Sequence, residues 1–250
     1  MIASIHYNSK KYNIDLSKPL DLSIPLSGDV TNVNAWYIDY PKISPHTEGE
    51  FVGKVSEGAS TNFNDIWFNP HAHGTHTECV GHITKKFHSV NESLDRYFFL
   101  AQVVTIAPGK LNGDFVISKK QLQNAMGDDS IEALIIRTLP NTKEKFSKQY
   151  SNTNPPYLLA EAAQFLREQG VDHLLVDLPS VDKEKDEGRL LAHKAFWNMG
   201  GKKRLSATIT EFVFFDNTIQ DGTYFMNLQV AAFENDASPS RPVLYKILEE

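Results

Sequence analysis

The sequence is poor in cysteine, since Cys79 is the only one among 250 residues. A single thiol excludes an intrachain disulfide framework and is typical of a reducing compartment, so we expect a cytoplasmic protein. It also excludes a structural zinc site built from several thiolates. Any metal bound by this chain would therefore need histidine and carboxylate ligands.

Long apolar runs and basic clusters are absent as well. The mean hydropathy is −0.35, and no apolar stretch approaches the roughly 18 residues of a transmembrane helix. The N-terminal segment 1–17 has no apolar core of a secretory leader, so none is expected. The 25 basic and 31 acidic side chains give a net charge of −6, which argues against nucleic acid or an anionic membrane as a partner.

Strand and helix patterns alternate along the chain without a repeat or a linker. The sequence predicts short strands broken by prolines at 11–26, a strand and turn at 51–70, and strands at 98–108, 132–140 and 171–179. It also predicts a strand pair or strand–loop–strand within 205–233 and one short strand at the C-terminal end. Helices are predicted at 117–126, with Ser118 as N-cap, and at 157–169, ended by Gly170. Segments 28–50 and 141–156 are predicted to be loops. This alternation favours one mixed α/β domain spanning residues 1–250.

Histidine is concentrated in one segment, where five of the nine lie within 18 residues: His71, His73, His76, His82 and His88. Alternate residues of an extended chain share a face, so His76, Glu78 and His82 would point the same way. His71 and His73 would share a face in the same manner. Imidazole and carboxylate are good ligands for Zn²⁺, Mn²⁺ or Fe²⁺. Polar loop histidines that only make hydrogen bonds are the alternative, but their density favours a metal site.

The segment HGTHTECVGH, at 73–82, resembles a known signature. This signature, His-x-Gly-Thr-His-x-Asp-x-Pro-x-His, marks the cyclase family of metal-dependent hydrolases, which includes bacterial kynurenine formamidase and isatin hydrolase. Further segments follow in the family's order: ALIIRT at 133–138, GVDHLLVDLPSVD at 170–182 and ENDASPSRP at 234–242. The resemblance implies a mixed α/β fold, with a β-barrel-like mixed sheet and flanking helices.

The resemblance also implies roles for individual residues. The positions that match the family's metal ligands are His76, Glu78, His193 and Glu211. Glu78 stands where the motif has aspartate, so its carboxylate reaches one methylene further. His82 matches the last motif histidine, the acid/base of the family. Trp36 and Tyr37 correspond to the N-terminal aromatic residues that line its substrate pocket, although they could equally cap the core.

One departure from the signature concerns its first histidine, whose position is occupied by Ala72. His71 and His73 flank it, and a one-residue shift of the segment would let either supply the missing nitrogen. The neighbouring Pro70 and Gly74 make such a rearrangement plausible. His71 is favoured, because His73 adjoins the glycine.

The activity implied by the resemblance is metal-dependent hydrolysis of an amide, formamide or lactam bond in a small aromatic substrate. The implied cofactor is a divalent metal, zinc or manganese, and the implied assembly is a homodimer or homotetramer. A cyclase or dehydratase on the same site stays open as an alternative. So does a non-catalytic binding protein that lost its first metal ligand at Ala72. A serine triad on Ser180 is disfavoured, because no Gly-x-Ser-x-Gly turn surrounds it.

Overall fold

A computed structural model describes residues 1–127 and 129–248. The strands are β1 Ile2–Tyr7, β2 Lys10–Asp15, β3 Leu20–Asp21, β4 Lys42–Pro45, β5 Thr47–Glu48, β6 Phe51–Val52, β7 Asn64–Trp67, β8 His76–Glu78, β9 Phe98–Ile106, β10 Gly109–Leu111, β11 Asp114–Ile117, β12 Ala133–Thr138, β13 Tyr157–Leu158, β14 His173–Val176, β15 Thr208–Glu211, β16 Gly222–Asn227, β17 Ala237–Pro239 and β18 Val243–Leu248. The helices are α1 Pro70–His73, α2 Val90–Ser93, α3 Lys119–Ala125, α4 Ala160–Glu168 and α5 Leu191–Phe196. Short 3₁₀ turns lie at Val55–Glu57, Val80–Ile83 and Lys143–Phe146. Among the described residues no helix is long and apolar enough to cross a bilayer.

Eleven strands form one mixed sheet, which includes strands from both ends of the chain. Its order is β1-β2-β18-β16-β9-β12-β14-β15-β8-β17, with β3 beside β18. The central strands β9, β12, β14 and β15 are parallel, and successive members are joined through α3, α4 and α5, as parallel neighbours require. Strands β8 and β17 extend this end of the sheet in antiparallel fashion. The prediction of a mixed α/β fold with a large mixed sheet and flanking helices is confirmed.

The centre of the sheet is buried on both faces. In β12, Leu134 and Ile136 pack with the helices, whereas Ala133 and Ile135 face the apolar cluster on the opposite side. A strand covered on both faces is apolar at successive positions and does not alternate with polar ones. This explains why the run at 132–140 was recognisable as a buried strand.

Three predicted segments differ from the structure. The loop predicted at 28–50 contains β4 and β5, which pair with β7 and β6. The helix predicted at 157–169 begins only at Ala160, because Tyr157–Leu158 pairs with β11. The C-terminal end contains two strands, β17 and β18, where one short strand is predicted. Strands β4, β13 and β17 pair with strands distant in the sequence, whereas β5 and β6 form a hairpin with only two residues between them.

Candidate metal centre

The histidine segment begins with a helical turn, α1, and not with the extended chain that was predicted. Asn69 caps this turn by accepting a hydrogen bond from the His71 amide at 2.9 Å, and Pro70 occupies its first position, where proline favours a helix. Successive helical residues are rotated by about 100°. His71 and His73 therefore point in nearly opposite directions, and the prediction that they share a face is wrong.

Only one of these two histidines reaches the cluster. His71 Nδ1 lies 3.2 Å from Glu78 Oε2, and its Nε2 lies 3.0 Å from Asp236 Oδ2. His73 accepts a hydrogen bond from the Asn69 amide at Nδ1 and donates one from Nε2 to the Asp39 carbonyl, both 2.9 Å long. Both of its ring nitrogens are thus in use outside the cluster. The prediction of His73 as an alternative ligand is corrected accordingly.

Strand pairing brings His76 to Glu211. The two residues are direct partners in the β8–β15 ladder, where opposite side chains stand close together on one face. His76 Nε2 lies 3.5 Å from Glu211 Oε2, and its Nδ1–H donates to the Gly74 carbonyl at 2.9 Å. The hydrogen bond to Gly74 directs Nε2 into the cluster.

His193 enters the cluster from α5. Asp182 accepts hydrogen bonds from the Ala192 and His193 amides at the start of this helix, and from His193 Nδ1–H at 2.6 Å. The other ring nitrogen, Nε2, lies 3.0 Å from Glu78 Oε1 and 3.9 Å from Glu211 Oε1. A carboxylate behind a histidine is the usual support of a metal-binding imidazole.

His82 is carried by the 3₁₀ turn Val80–Ile83, so it does not continue the strand of His76 as expected. Its Nδ1 lies 3.2 Å from Asp236 Oδ2 and 3.7 Å from Glu78 Oε2. The side chain is 30% exposed, compared with 0% for His76 and 2% for His193. Within the described part of the chain, its Nε2 makes no hydrogen bond. His82 therefore combines a fixed Nδ1 with an Nε2 available to a ligand.

Sequence analysis missed Asp236 as a member of this cluster. The residue lies just before β17, where Ala237 is the ladder partner of Glu78. The Cys79 amide donates to the Asp236 carbonyl at 2.9 Å, which fixes the backbone there. The only signal in the sequence was its place in ENDASPSRP, a segment already noted for its resemblance to the family.

The electrostatics of the cluster are dominated by carboxylates. Burial would raise the pKa of Glu78, but the surrounding His82, His193 and His71 outweigh burial and hold that pKa well below its ordinary value. Burial would lower the pKa of His71 and His193. The hydrogen bond to Asp236 and the adjacent Glu78 carboxylate instead raise the pKa of His71 to about 10. Hydrogen bonds to Asp182 and Glu78 likewise raise the pKa of His193 to about 10. Without a metal, protonated imidazoles balance the buried carboxylates.

Two buried atoms of the cluster make no hydrogen bond to any described residue. They are His76 Nε2, which lies 3.5 Å from Glu211 Oε2, and Glu78 Oε2, which lies 3.2 Å from His71 Nδ1. Buried polar atoms without a hydrogen bond are costly unless another group satisfies them. Three sets of side chains each place their potential ligand atoms within 4.8 Å of one another. The sets are His71, His82 and Asp236; His71, His76 and Glu78; and Glu78, His82 and His193. Imidazole and carboxylate donors in this arrangement fit a divalent transition metal.

A pocket of about 320 Å³ opens beside the cluster. Trp36 lies in its wall, and its indole N–H donates to the His71 carbonyl at 2.9 Å. Ala72, whose methyl group replaces the family's first ligand, also lines it. Tyr37 does not. It is 55% exposed, and its hydroxyl donates to Glu184. The two aromatic residues predicted to contact substrate are thus separated.

Three further polar residues do not belong to the histidine and carboxylate cluster. Cys79 is fully buried and donates its thiol hydrogen to the His88 carbonyl, as expected for a packed thiol. Arg241 pairs with Asp21 at 2.6 Å on the surface. Ser180 borders the pocket, but both ring nitrogens of His193 face carboxylates, so no serine triad is formed.

The chain is similar to known proteins in both sequence and fold. A family model described as "Putative cyclase" matches residues 14–183. Kynurenine formamidases from Bacillus cereus and Bacillus anthracis are 29% and 28% identical to this chain over 235 residues, which are 92% of it and 99% of theirs. An isatin hydrolase bound to the product analogue thioisatinate superposes with a TM-score of 0.64 at 16% identity, covering 92% of this chain and 93% of that one. A potential metal-dependent hydrolase with cyclase activity gives the same score and identity, with 92% and 98% covered.

Proposed function

The chain belongs to the cyclase family, and from this premise we propose that it is a metal-dependent hydrolase of an amide or formamide bond in a small aromatic compound. The kynurenine formamidases, similar over nearly their whole length, indicate the class of bond and substrate. The observation that carries the proposal is a pair of buried atoms, His76 Nε2 and Glu78 Oε2, that make no hydrogen bond to the described residues and lie beside an open pocket. A buried acceptor pair of this kind is expected where a cation completes the site.

The proposed ligands are His76, Glu78, His193 and Glu211, with His71 in place of the histidine missing at position 72. Zinc or manganese suits this mixture of nitrogen and oxygen donors. When bound, such a metal supplies Lewis-acid chemistry, which makes water nucleophilic near neutral pH and polarises a carbonyl group. Both oxygens of Glu78 face other proposed ligands, since Oε1 lies beside His193 and Oε2 beside His71.

His82 is the proposed acid/base. Its Nδ1–H donates to Asp236, which leaves Nε2 as a proton acceptor at the pocket. Nε2 takes a proton from the attacking water and then returns it to the leaving nitrogen, so that the amine departs neutral. Proton transfer of this kind contributes about 10²- to 10⁴-fold to a rate.

Substrate recognition is proposed to rest on Trp36 more than on Tyr37. The indole is anchored through the His71 carbonyl and forms one wall of the pocket, so a planar substrate can lie against it beside the metal ligands. A volume of about 320 Å³ is at the small end of the range for ligand pockets. This favours a compound with one or two rings.

We further propose that residues 1–250 act as one hydrolase domain, located in the cytoplasm and assembled as a homodimer or homotetramer. One sheet contains strands from both ends of the chain, which supports a single unit. The lone free Cys79 supports a reducing compartment. Exposed apolar residues support assembly: Ile43 and Ile66, ladder partners on β4 and β7, are 39% and 60% exposed.

The proposal is tested by assaying metal-loaded protein on N-formyl aromatic amines and on aromatic lactams, with formate and ring-opened acid as the measured products. We expect turnover that a chelator abolishes, and none above background in Glu78→Gln. Full metal occupancy without turnover on either class would contradict the hydrolase and favour the non-catalytic binding protein.

A further inference from the structure

A single carboxylate oxygen, Asp236 Oδ2, accepts hydrogen bonds from two histidines. His71 Nε2 lies 3.0 Å away and His82 Nδ1 lies 3.2 Å away. The two rings lie side by side, with centroids 4.4 Å apart. The oxygen thus connects the histidine that stands beside Ala72 with the proposed acid/base.

The geometry assigns a role to this contact: we propose that Asp236 is a positioning residue, which turns His71 Nδ1 toward the metal and His82 Nε2 toward the substrate. A neutral imidazole carries one N–H, and a carboxylate acceptor fixes which nitrogen holds it. In the metal-bound protein, a neutral His71 with its N–H on Nε2 would present the lone pair of Nδ1 to the metal beside Glu78. With its N–H on Nδ1, His82 presents the lone pair of Nε2. This inference rests on the proposed function, because it assumes a metal at the cluster.

The need for this carboxylate follows from the shift of the first ligand from position 72 to position 71. Ala72 cannot donate a nitrogen, and the ring of His71 comes from the adjacent position of the α1 turn. Its orientation then depends on a contact outside that turn. On the opposite side of the cluster, Asp182 supports His193 through the same kind of bond at 2.6 Å. Each side of the site therefore has its own supporting carboxylate.

The backbone around Asp236 is built to hold it in place. Its carbonyl accepts from the Cys79 amide, and the neighbouring Asn235 carbonyl accepts from the Val90 amide at 2.8 Å. The next residue, Ala237, enters the ladder with Glu78. These bonds do not involve the Asp236 side chain, so a substitution there is expected to leave the local fold intact.

The test compares Asp236→Asn and Asp236→Ala with the wild type, and uses Glu234→Gln as a matched control. Glu234 lies two residues away and contacts Asn91, outside the cluster. Zinc dissociation constants are measured by competition with a chromophoric chelator. Imidazole ¹⁵N NMR of the metal-free proteins near pH 8 reports which nitrogen of His82 carries the proton. Rates on an N-formyl aromatic amine are measured at saturating metal.

We expect affinity for zinc to fall about 10- to 100-fold in both Asp236 variants, as for other supporting residues, and kcat to fall at saturating metal. The NMR signal should move from the Nδ1–H form of His82 toward the Nε2–H form in Asp236→Ala. Glu234→Gln should match the wild type in all three measurements.

Unchanged affinity and an unchanged His82 tautomer in both Asp236 variants would overturn the inference. A loss of zinc affinity beyond about 1,000-fold would make Asp236 a ligand, since it exceeds the effect of a supporting residue, and would overturn the positioning role as well. If the wild type itself binds no metal, the proposed function fails first. Asp236→Asn, which keeps the shape of the side chain, preserves the test if Asp236→Ala does not fold.

Discussion

His76 lies directly opposite Glu211 in the ladder of β8 and β15, with its Nε2 3.5 Å from the Glu211 carboxylate. The chain between them includes most of the parallel centre of the sheet, so the pair exists only when that centre is assembled. Both side chains are buried, and His76 offers a ligand atom within 4.8 Å of ligand atoms of Glu78 and His71. Metal binding and folding should therefore be linked in this protein.

The first prediction concerns thermal stability. A metal that binds only the folded chain stabilises it by about 4 kcal/mol at a free concentration 1,000 times its dissociation constant. Zinc or manganese should therefore raise the Tm of chelator-treated protein by several degrees in a calorimetric scan. The same addition to Glu78→Gln should have little effect. An equal rise in both proteins would mean that the metal stabilises the fold from another place.

The second prediction separates the three residues at positions 71 to 73. His71→Ala should weaken metal binding by at least tenfold, because it removes a ligand that faces Glu78. His73→Ala should leave the metal dissociation constant within about threefold of the wild type and lower Tm instead, since both of its nitrogens bond to the backbone. Equilibrium dialysis and calorimetry measure the two effects.

A rescue experiment extends this comparison. Ala72 lines the same pocket as His71, so a histidine at position 72 should restore affinity to His71→Ala. In the wild-type background the same Ala72→His change should add little. If His71→Ala binds metal as tightly as the wild type, and Ala72→His adds no affinity in that background, then neither position supplies a ligand.

The third prediction concerns His82. Removal of an acid/base slows the reaction, whereas removal of a ligand empties the site. His82→Ala should retain its metal and its Tm while kcat on an N-formyl aromatic amine falls by about 10²- to 10⁴-fold. Elemental analysis of the same preparation provides the control. Metal loss that parallels the loss of rate would place His82 among the ligands.

The fourth prediction uses a histidine far from the site. His173 is buried in β14, with its ring 4.0 Å from that of Phe99 and its Nδ1 2.9 Å from Thr208 Oγ1. Burial disfavours the charged ring and lowers the pKa of His173 from 6.5 to about 4. Between these values the unfolded chain binds a proton that the folded chain does not, so stability falls as the pH decreases from 6.5 to 4.

His173→Gln removes this contribution. Between pH 7 and pH 5 the wild type should lose about 2 kcal/mol more of its free energy of unfolding than the variant. Urea unfolding of both proteins at the two pH values measures the difference. Groups that titrate elsewhere in the chain affect both proteins equally, so their contributions cancel in the comparison. Identical losses would mean that His173 titrates normally in the folded protein.

Local signals in the sequence predicted part of this structure, and pairing between distant segments decided the rest. The N-cap at Ser118 and the continuous apolar run of β12 are readable in the sequence because each depends on adjacent residues. Asn69-Pro70 is likewise a usual start of a helix, so the sequence contains a local signal for the α1 turn. That turn is what separates His71 from His73.

Asp236 carried no such signal. It reaches the cluster because β17 pairs with β8, which lies far earlier in the chain. The family signature drew attention to His76, Glu78 and His82, but it contains no position for a carboxylate that supports a displaced ligand. A local pattern cannot show this kind of replacement, because it depends on which strands become neighbours.

The most direct test of the account is the rate of formate release from an N-formyl aromatic amine, measured while zinc or manganese is titrated into chelator-treated protein and bound metal is counted in the same samples. We expect the rate to rise from background in proportion to occupancy and to level off when the cluster is filled. A rate that does not depend on occupancy, or a bound amount below about 0.2 metal per chain in a site with this many ligands, would contradict it.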